Sequence, residues 1–80
     1  MALLLKIVSP EKVAFEGEVE SVAVPGTAGQ FEILEHHAPI ISSLEKGEVT
    51  YTTASSKETL KVLGGFVLVK KNEVSLCVEV

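Results

Sequence analysis

Apolar residues in this chain of 80 residues fall into short runs, separated by Pro, Gly, Asn or Ser. Runs of about five to eight residues at this spacing are typical of an antiparallel sandwich or barrel, and no 3.6-residue stripe indicates a helix. The pattern therefore predicts an all-β domain. Nine strands are predicted: Leu3 to Val8, Lys12 to Phe15, Glu18 to Val24, Gln30 to Leu34, Ile40 to Leu44, Glu48 to Thr53, Thr59 to Leu63, Phe66 to Lys70 and Val74 to Val80.

Some of these runs alternate between polar and apolar residues, whereas two do not. Val49 and Tyr51 alternate with polar neighbours, as expected for a strand with one face in water. Leu3 to Leu5 and Phe66 to Val69 are apolar at successive positions, so both faces of these strands need cover. Another strand layer, a loop or a partner chain can supply that cover, and the sequence leaves these alternatives open.

Turn residues fit the strand assignments. The segment from Lys70 to Glu73 predicts a hairpin in which Asn72 tolerates left-handed geometry. Gly64 and Gly65 predict a bulge or a close backbone approach. The polar segment from Ala54 to Glu58 predicts an exposed hairpin loop.

The segment from Pro25 to Pro39 combines a glycine-rich turn with a second breaker ahead of an apolar run. Gly26 and Gly29 tolerate positive φ values, and Pro39 biases the residue before it toward extended geometry. We therefore expect a shaped, exposed loop, which is the kind of element that carries recognition on a small scaffold.

Length and composition limit the functional classes. The chain is expected to form one domain over residues 1–80, and its net charge of −4 with a pI near 5.1 disfavours nucleic acid and anionic membrane surfaces. Met1 to Leu5 is interpreted as the start of a first strand rather than a signal peptide, because Lys6 interrupts the apolar run. The single cysteine, Cys77, fits a reducing compartment and is expected to be a half-buried strand residue.

The sequence offers little for catalysis or metal binding. Glu32, Glu35, His36 and His37 include metal-ligating residue types, but adjacent side chains diverge on an extended strand, so a polar loop is favoured over a metal site. Cys77 has no evident activating base, and no nucleophile elbow, Walker loop, dinucleotide fingerprint or CxxC pair occurs. We predict no catalytic residue, no metal and no cofactor.

One alternative is a biotinyl or lipoyl carrier domain, because such domains are all-β, of similar size, and present a lysine at a hairpin tip. Lys70 and Lys71 lie at a predicted hairpin tip. Their neighbours Val69 and Asn72 do not match the Met-Lys-Met or Asp-Lys-Ala contexts of carriers, which favours two solvated turn lysines.

Five motifs occur in a definite order along nearly the whole chain. They are Ile7-Val8-Ser9-Pro10-Glu11, Phe15-Glu16-Gly17-Glu18-Val19, the Pro25 to Pro39 segment, Leu44-Glu45-Lys46-Gly47-Glu48-Val49 and Gly64-Gly65-Phe66. PGxxGxFxIL, and HAP followed by an apolar run, are the most distinctive parts. This order of motifs resembles the N-terminal domain of the ε subunit of F-type ATP synthases.

The resemblance implies a ten-stranded β-sandwich at the foot of a rotating central stalk, in contact with the γ subunit and the membrane c-ring. It implies a non-catalytic bacterial rotor subunit that helps couple ion flow to ATP synthesis, peripheral to the cytoplasmic face of the plasma membrane. The implied c-ring-facing residues are Gly26, Thr27, Ala28, Gly29, Gln30 and Phe31, and the implied γ-facing residues are Ser9, His37 and Ser42.

The sequence departs from the family pattern at several positions. Gln30 stands where an acidic residue is usual, Glu32 and His36 where glycine is frequent, and Glu35 where proline is common. The chain ends at Val80, where longer ε subunits continue into two C-terminal helices, so the inhibitory and ATP-binding functions of those helices are not expected of these 80 residues.

Overall fold

The computed structural model describes residues 3–34 and 38–80, and these residues form nine β-strands. The nine strands are β1 Leu3–Val8, β2 Val13–Val19, β3 Ser21–Gly26, β4 Gly29–Leu34, β5 Ile40–Leu44, β6 Gly47–Thr52, β7 Lys57–Val62, β8 Gly64–Lys70 and β9 Glu73–Glu79. The predicted all-β class is confirmed. No helix long and apolar enough to cross a membrane occurs in the described residues.

The strands follow the order β2-β1-β9-β8-β5-β3-β6-β7, and β4 pairs with β3 outside this path. We call β2, β1, β9, β8 and β5 the five-stranded half, and β4, β3, β6 and β7 the four-stranded half. A single residue pair, Gly26 with Leu44, joins β3 to β5 and therefore joins the two halves. The predicted antiparallel pairing holds throughout the described strands except at one place, where β1 and β9 pair in parallel.

Alternation along the strands places one face of each half in a shared core. The core is a cluster of valine, leucine and isoleucine side chains that are at most 5 % exposed. The five-stranded half contributes Leu3, Leu5, Ile7, Val19, Leu44, Val67, Val69, Val74, Leu76 and Val78, and the four-stranded half contributes Val22, Val24, Ile33, Val49 and Val62.

An aromatic contact links the two halves at the rim of the core. The rings of Phe15 on β2 and Tyr51 on β6 have centroids 4.5 Å apart and are tilted by 43°. Both side chains pack against the buried cluster. Because β2 and β6 belong to different halves, this contact shows the sheet folded over on itself as a sandwich.

The largest error in the predicted strands concerns β2 and β3. The sequence predicts one strand that ends at Phe15 and a second that begins at Glu18, whereas β2 continues through Gly17 and ends at Val19. The break falls at Glu20, whose amide donates to the carbonyl oxygen of Thr52 at 2.6 Å. Strand pairing along the full length of β1 explains why Gly17 does not interrupt β2.

The turns agree with their predicted positions but not in every detail. Lys70 pairs with Glu73 across the β8–β9 hairpin, and the left-handed residue is Lys71, with φ of 56°, rather than Asn72. The β6–β7 loop is exposed as expected and is closed by a hydrogen bond from the Thr53 amide to the Ser56 carbonyl oxygen at 2.7 Å.

Gly65 confirms the predicted close backbone approach. Its φ is +145°, and a Cβ atom there would collide with the carbonyl oxygen of Cys77 and come within 2.8 Å of the Cα atom of Val78. At Gly64 the nearest atom to an added Cβ is the Leu44 carbonyl oxygen at 3.6 Å, which is an ordinary contact. The two adjacent glycines therefore have different reasons to be small.

We expect Gly65→Ala to lower the free energy of unfolding by at least about 2 kcal/mol, because it adds a backbone clash to a glycine-only conformation. Gly64→Ala is the matched control and should change stability by less than about 1 kcal/mol. Urea unfolding followed by far-ultraviolet circular dichroism measures both. Equal losses in the two variants would contradict the assigned role of Gly65.

Candidate functional site

The glycine-rich segment forms a tight hairpin between β3 and β4. Pro25 pairs with Gln30 and Gly26 pairs with Gly29, so only Thr27 and Ala28 lie in the turn. Gly29 has φ of +129°, a conformation open to glycine. The segment from Pro25 to Pro39, predicted to be a shaped, exposed loop, is thus a two-residue turn followed at once by β4, and residues 35–37 lie outside the described residues.

The predicted c-ring-facing residues, Gly26 to Phe31, form the hairpin tip, but only part of the tip is accessible. Thr27, Ala28, Gly29 and Gln30 are exposed. Gly26 is buried. An added Cβ would lie 2.8 Å from both the Gly29 carbonyl oxygen and the Phe31 ring, so this position has no room for a side chain. Phe31 is half-buried and packs on the core, so its ring and Gly26 support the tip from below.

Backbone and side-chain hydrogen bonds connect the hairpin tip to β5. The Thr27 amide donates to the Ser43 carbonyl oxygen at 3.2 Å, and the Glu45 amide donates to the Pro25 carbonyl oxygen at 2.9 Å. The hydroxyl groups of Thr27 and Ser43 lie 3.1 Å apart and are hydrogen-bonded. The tip is therefore held against the end of the five-stranded half.

A second candidate surface lies on the outside of the five-stranded half. Ile41 on β5 pairs with Leu68 on β8, and Phe66 lies two residues from Leu68 on the same face. These three large apolar side chains are 78 %, 39 % and 47 % exposed respectively. We call Ile41, Phe66 and Leu68 the outer apolar face. This is the uncovered second face that the doubly apolar run Phe66 to Val69 predicts, and no other strand of the chain covers it in the described residues.

Small or polar side chains and one charged side chain border the outer apolar face; the charged one is Lys70, two residues beyond Leu68 on the same face of β8. Ser43 lies opposite Phe66 on β5, and Cys77 lies opposite Phe66 on β9. Cys77 is half-buried, as the sequence indicates, and it lines a shallow groove of about 380 Å³ beside the face. Farther toward β2 the outer surface becomes charged, because Lys6 on β1 lies between Glu16 on β2 and Ser75 on β9.

The three predicted γ-facing residues have different positions. Ser9 is buried at 7 % exposure, and its hydroxyl donates to the Lys12 carbonyl oxygen at 3.2 Å across the β1–β2 turn. Ser42 is half-buried and pairs with buried Val67, so its side chain lies on the core side of β5. His37 lies outside the described residues. The outward-pointing residues of β5 are instead Ile41 and Ser43, a distinction that alternation along Ile40 to Leu44 already contained.

The candidate metal ligands and titratable groups that the sequence indicates lie only partly within the described residues. No group of three or more metal-ligating side chains occurs among them, and Glu35, His36 and His37 lie outside them, so the preference for a polar loop there stays a prediction. Burial raises the pKa of the Tyr51 hydroxyl, and the nearby Glu58 carboxylate raises it further. Tyr51 therefore remains neutral at physiological pH and acts as a packing residue.

The chain matches the family model of the ATP synthase delta/epsilon chain β-sandwich domain over residues 2–80. This chain belongs to that family. Among curated relatives, the ATP synthase epsilon chain of Bradyrhizobium sp. strain ORS 278 is 40 % identical over 92 % of this chain and 55 % of the relative. The epsilon chain of Leptospira interrogans serovar copenhageni is also 40 % identical, over 92 % of this chain and 58 % of the relative. The chain thus spans just over half the length of these relatives.

Solved structures share the fold at low sequence identity. A chain in the Euglena gracilis mitochondrial ATP synthase, in a structure of its OSCP, F1 and c-ring, superposes with a TM-score of 0.91 at 16 % identity, over 96 % of this chain and 50 % of that one. A chain in the central stalk and c-ring of the Tetrahymena thermophila mitochondrial enzyme gives 0.86 at 13 % identity, over 100 % of this chain and 65 % of that one. The predicted sandwich fold is confirmed.

Family membership also bears on the carrier-domain alternative. The matching family model includes the hairpin with Lys70 and Lys71, and it describes an ATP synthase domain. Both lysines are exposed at the β8–β9 turn, as solvated turn residues should be. The carrier alternative therefore gains no support.

The adjacent residues Ile40 and Ile41 test whether the outer apolar face is surface rather than core. Ile40 packs against the buried cluster, whereas Ile41 is 78 % exposed. We expect Ile41→Thr to change the free energy of unfolding by no more than about 0.5 kcal/mol and Ile40→Thr to lower it by more than about 1 kcal/mol. Urea unfolding measures both changes, and a large loss on Ile41→Thr would place that side chain in the core.

Proposed function

We propose that this chain is a non-catalytic rotor subunit of a bacterial F-type ATP synthase, linking the γ subunit to the membrane c-ring. The observation that carries the proposal is the family match over residues 2–80, which includes both candidate surfaces. The named relatives are epsilon chains of an ATP synthase, and the structural neighbours come from assemblies that include a central stalk or a c-ring.

The outer apolar face suits a stable protein partner such as the γ subunit. Ile41, Phe66 and Leu68 form a contiguous group, and contiguous exposed apolar side chains mark interaction sites on soluble proteins. Their cross-strand neighbours include serine and cysteine, and the charged Lys70 follows Leu68 at the end of β8, which matches an interface with an apolar centre and a polar rim. We place the γ contact on this face. Ser42 lies on the core side of β5 behind it, and Ser9 lines the groove beside Phe66.

The exposed part of the hairpin tip suits a polar, sliding or intermittent contact such as one with c-ring loops. Thr27, Ala28, Gly29 and Gln30 are small or uncharged, and no large apolar side chain is exposed among them. The tip lies at the end of the sandwich, beside Ser43. One domain therefore presents an apolar side and a polar end to two different partners.

The mechanism is mechanical. A close-packed core resists deformation. A force applied at the hairpin tip is therefore transmitted to the outer apolar face with little change in the shape of the domain. The protein would act at the cytoplasmic face of the plasma membrane, as a peripheral part of the complex. No bond is made or broken by its own side chains.

The γ contact is tested by substitutions on the outer apolar face. We expect Ile41→Thr or Leu68→Thr to weaken binding to γ from the same source by about 5- to 30-fold, because each removes apolar area from the interface. Isothermal titration calorimetry or surface plasmon resonance measures the affinity. Leu63→Thr is the matched control, since Leu63 is 60 % exposed but lies in the β7–β8 link outside the face.

Three results would count against the γ contact. The first is that the parent chain forms no complex with γ, which removes the central support for the rotor function. The second is that the two face variants bind as tightly as the parent, and the third is that Leu63→Thr weakens binding equally. Either of the last two results would move the contact elsewhere on the domain.

The c-ring contact is tested at Gly29, whose φ of +129° is strained for any other residue. An added Cβ there meets no atom within 4 Å, so Gly29→Val should distort the tip while the sandwich stays folded. We expect this variant to assemble but to lower ion pumping per ATP hydrolysed. Membrane vesicles containing the assembled complex provide both rates.

Gly17→Val on β2 is the control for general destabilisation, since it changes a glycine far from the tip at ordinary φ. It should assemble and pump normally. Normal coupling in Gly29→Val would contradict the c-ring role of the tip.

A further inference from the structure

We propose that Thr27 and Ser43 form a clamp that fixes the hairpin tip relative to the outer apolar face, so that the two partner surfaces move as one body. This inference rests on the proposed function for its meaning in the assembled complex. The clamp itself is a property of this chain and can be tested without the complex.

Strand β5 is the element that connects the two surfaces. Its outward-facing residues are Ile41, in the outer apolar face, and Ser43, which touches the tip. These residues are two positions apart on one strand face, so they are neighbours along the strand. Thr27 is therefore linked to the face through Ser43 and one short segment of strand.

The connection has a weak side-chain part and a stronger backbone part. Thr27 and Ser43 are both exposed, so water competes for their hydroxyl pair at 3.1 Å. The Thr27 amide bond to Ser43 and the Glu45 amide bond to Pro25 lie on either side of the Gly26–Leu44 pair. The hydroxyl pair adds a third link to the same few residues, which restricts rotation of the turn about the backbone bonds.

The tip has no comparable link elsewhere in the described residues. Beyond its pairing with β4, the polar contacts of the turn go to β5, and the exposed side of Gly29 and Gln30 contacts solvent. Loss of the hydroxyl pair should leave the hairpin formed, because Phe31 still packs on the core. It should loosen the angle between the tip and β5.

The experiment is hydrogen exchange at the residue-27 and Glu45 amides of the chain, with and without γ. Thr27→Val keeps the shape of the side chain and removes the hydroxyl group, and Thr27→Ser keeps the hydroxyl group. Ser43→Ala and Ser43→Thr form the second matched pair. We expect Thr27→Val and Ser43→Ala to speed exchange at both amides by about two- to tenfold, and the two hydroxyl-retaining variants to stay near the parent rate.

Binding of γ provides the readout that a purely local role would not change. In the parent chain and in Thr27→Ser, γ on the outer apolar face should slow exchange at residue 27. In Thr27→Val, γ should bind with unchanged affinity but give little protection there. In the assembled complex, the same variant should lower ion pumping per ATP hydrolysed, and Thr27→Ser should restore it.

Unchanged exchange in Thr27→Val and Ser43→Ala would overturn the clamp, because the hydroxyl groups would not restrain the tip. Faster exchange together with normal γ protection and normal coupling would also overturn it, since the bond would then be only a local stabiliser. Failure of the parent chain to bind γ is a different result. It would refute the proposed function while the exchange rates still decide whether Thr27 and Ser43 hold the tip.

Discussion

The structure depends on the place where the sheet folds over, between β3 and β5. Strand β3 pairs with β6 at Ser21 to Ala23, leaves it, and meets β5 only at Gly26, which pairs with Leu44. This change of partner turns the apolar face of one half toward the other. Only glycine fits at position 26, because the Phe31 ring and the Gly29 carbonyl oxygen occupy the space that a Cβ atom would need. The residues that close the sandwich are therefore the ones that begin the hairpin tip.

Strand register then decides which surface remains for a partner. On β5, Ile40 and Leu44 contribute to the core side, and Ile41 and Ser43 point outward. A shift of one residue in the pairing of β5 with β8 would exchange these sets, exposing the core residues and burying the outer ones. The outer apolar face is thus a consequence of the same alternation that builds the core, and it needs no separate loop or insertion.

Much of the fold was predictable from sequence because apolar alternation and turn residues act locally. The bounds of β1 and β5 agree with the prediction, and of the Gly64-Gly65 pair, predicted to mark a bulge or a close backbone approach, Gly65 makes the close approach. The continuation of β2 through Gly17 was missed, because pairing with β1 overrides the local preference of glycine for a break. The parallel pairing of β1 with β9 was also missed, since it joins residues about 70 positions apart, and no local pattern records such a contact.

The candidate site was less predictable for the same reason. The doubly apolar run from Phe66 to Val69 indicated a face that needs cover, but the partner strands that place Ile41 beside Leu68 are known only from the fold. Ser9 and Ser42 came from family resemblance, which transfers a position without stating which way its side chain points. In the structure both lie inward, Ser9 by its hydrogen bond to Lys12 and Ser42 by its pairing with Val67.

The outer surface of the five-stranded half carries more charge near β2 than near β5. Near β2, exposed Leu4 pairs with Glu18 on one side and Glu73 on the other, so a partner covering Leu4 must also remove water from carboxylates. Near β5, Phe66 and Leu68 have Ser43, Cys77 and Ser75 as cross-strand neighbours, and the charged Lys70 lies two residues beyond Leu68 at the end of β8, where its side chain is exposed. Because burying an unpaired charge costs far more than burying a hydroxyl group, an apolar partner is favoured over β8 and β5 and disfavoured toward β2. That preference places the partner next to Ser43, where the hairpin tip is attached.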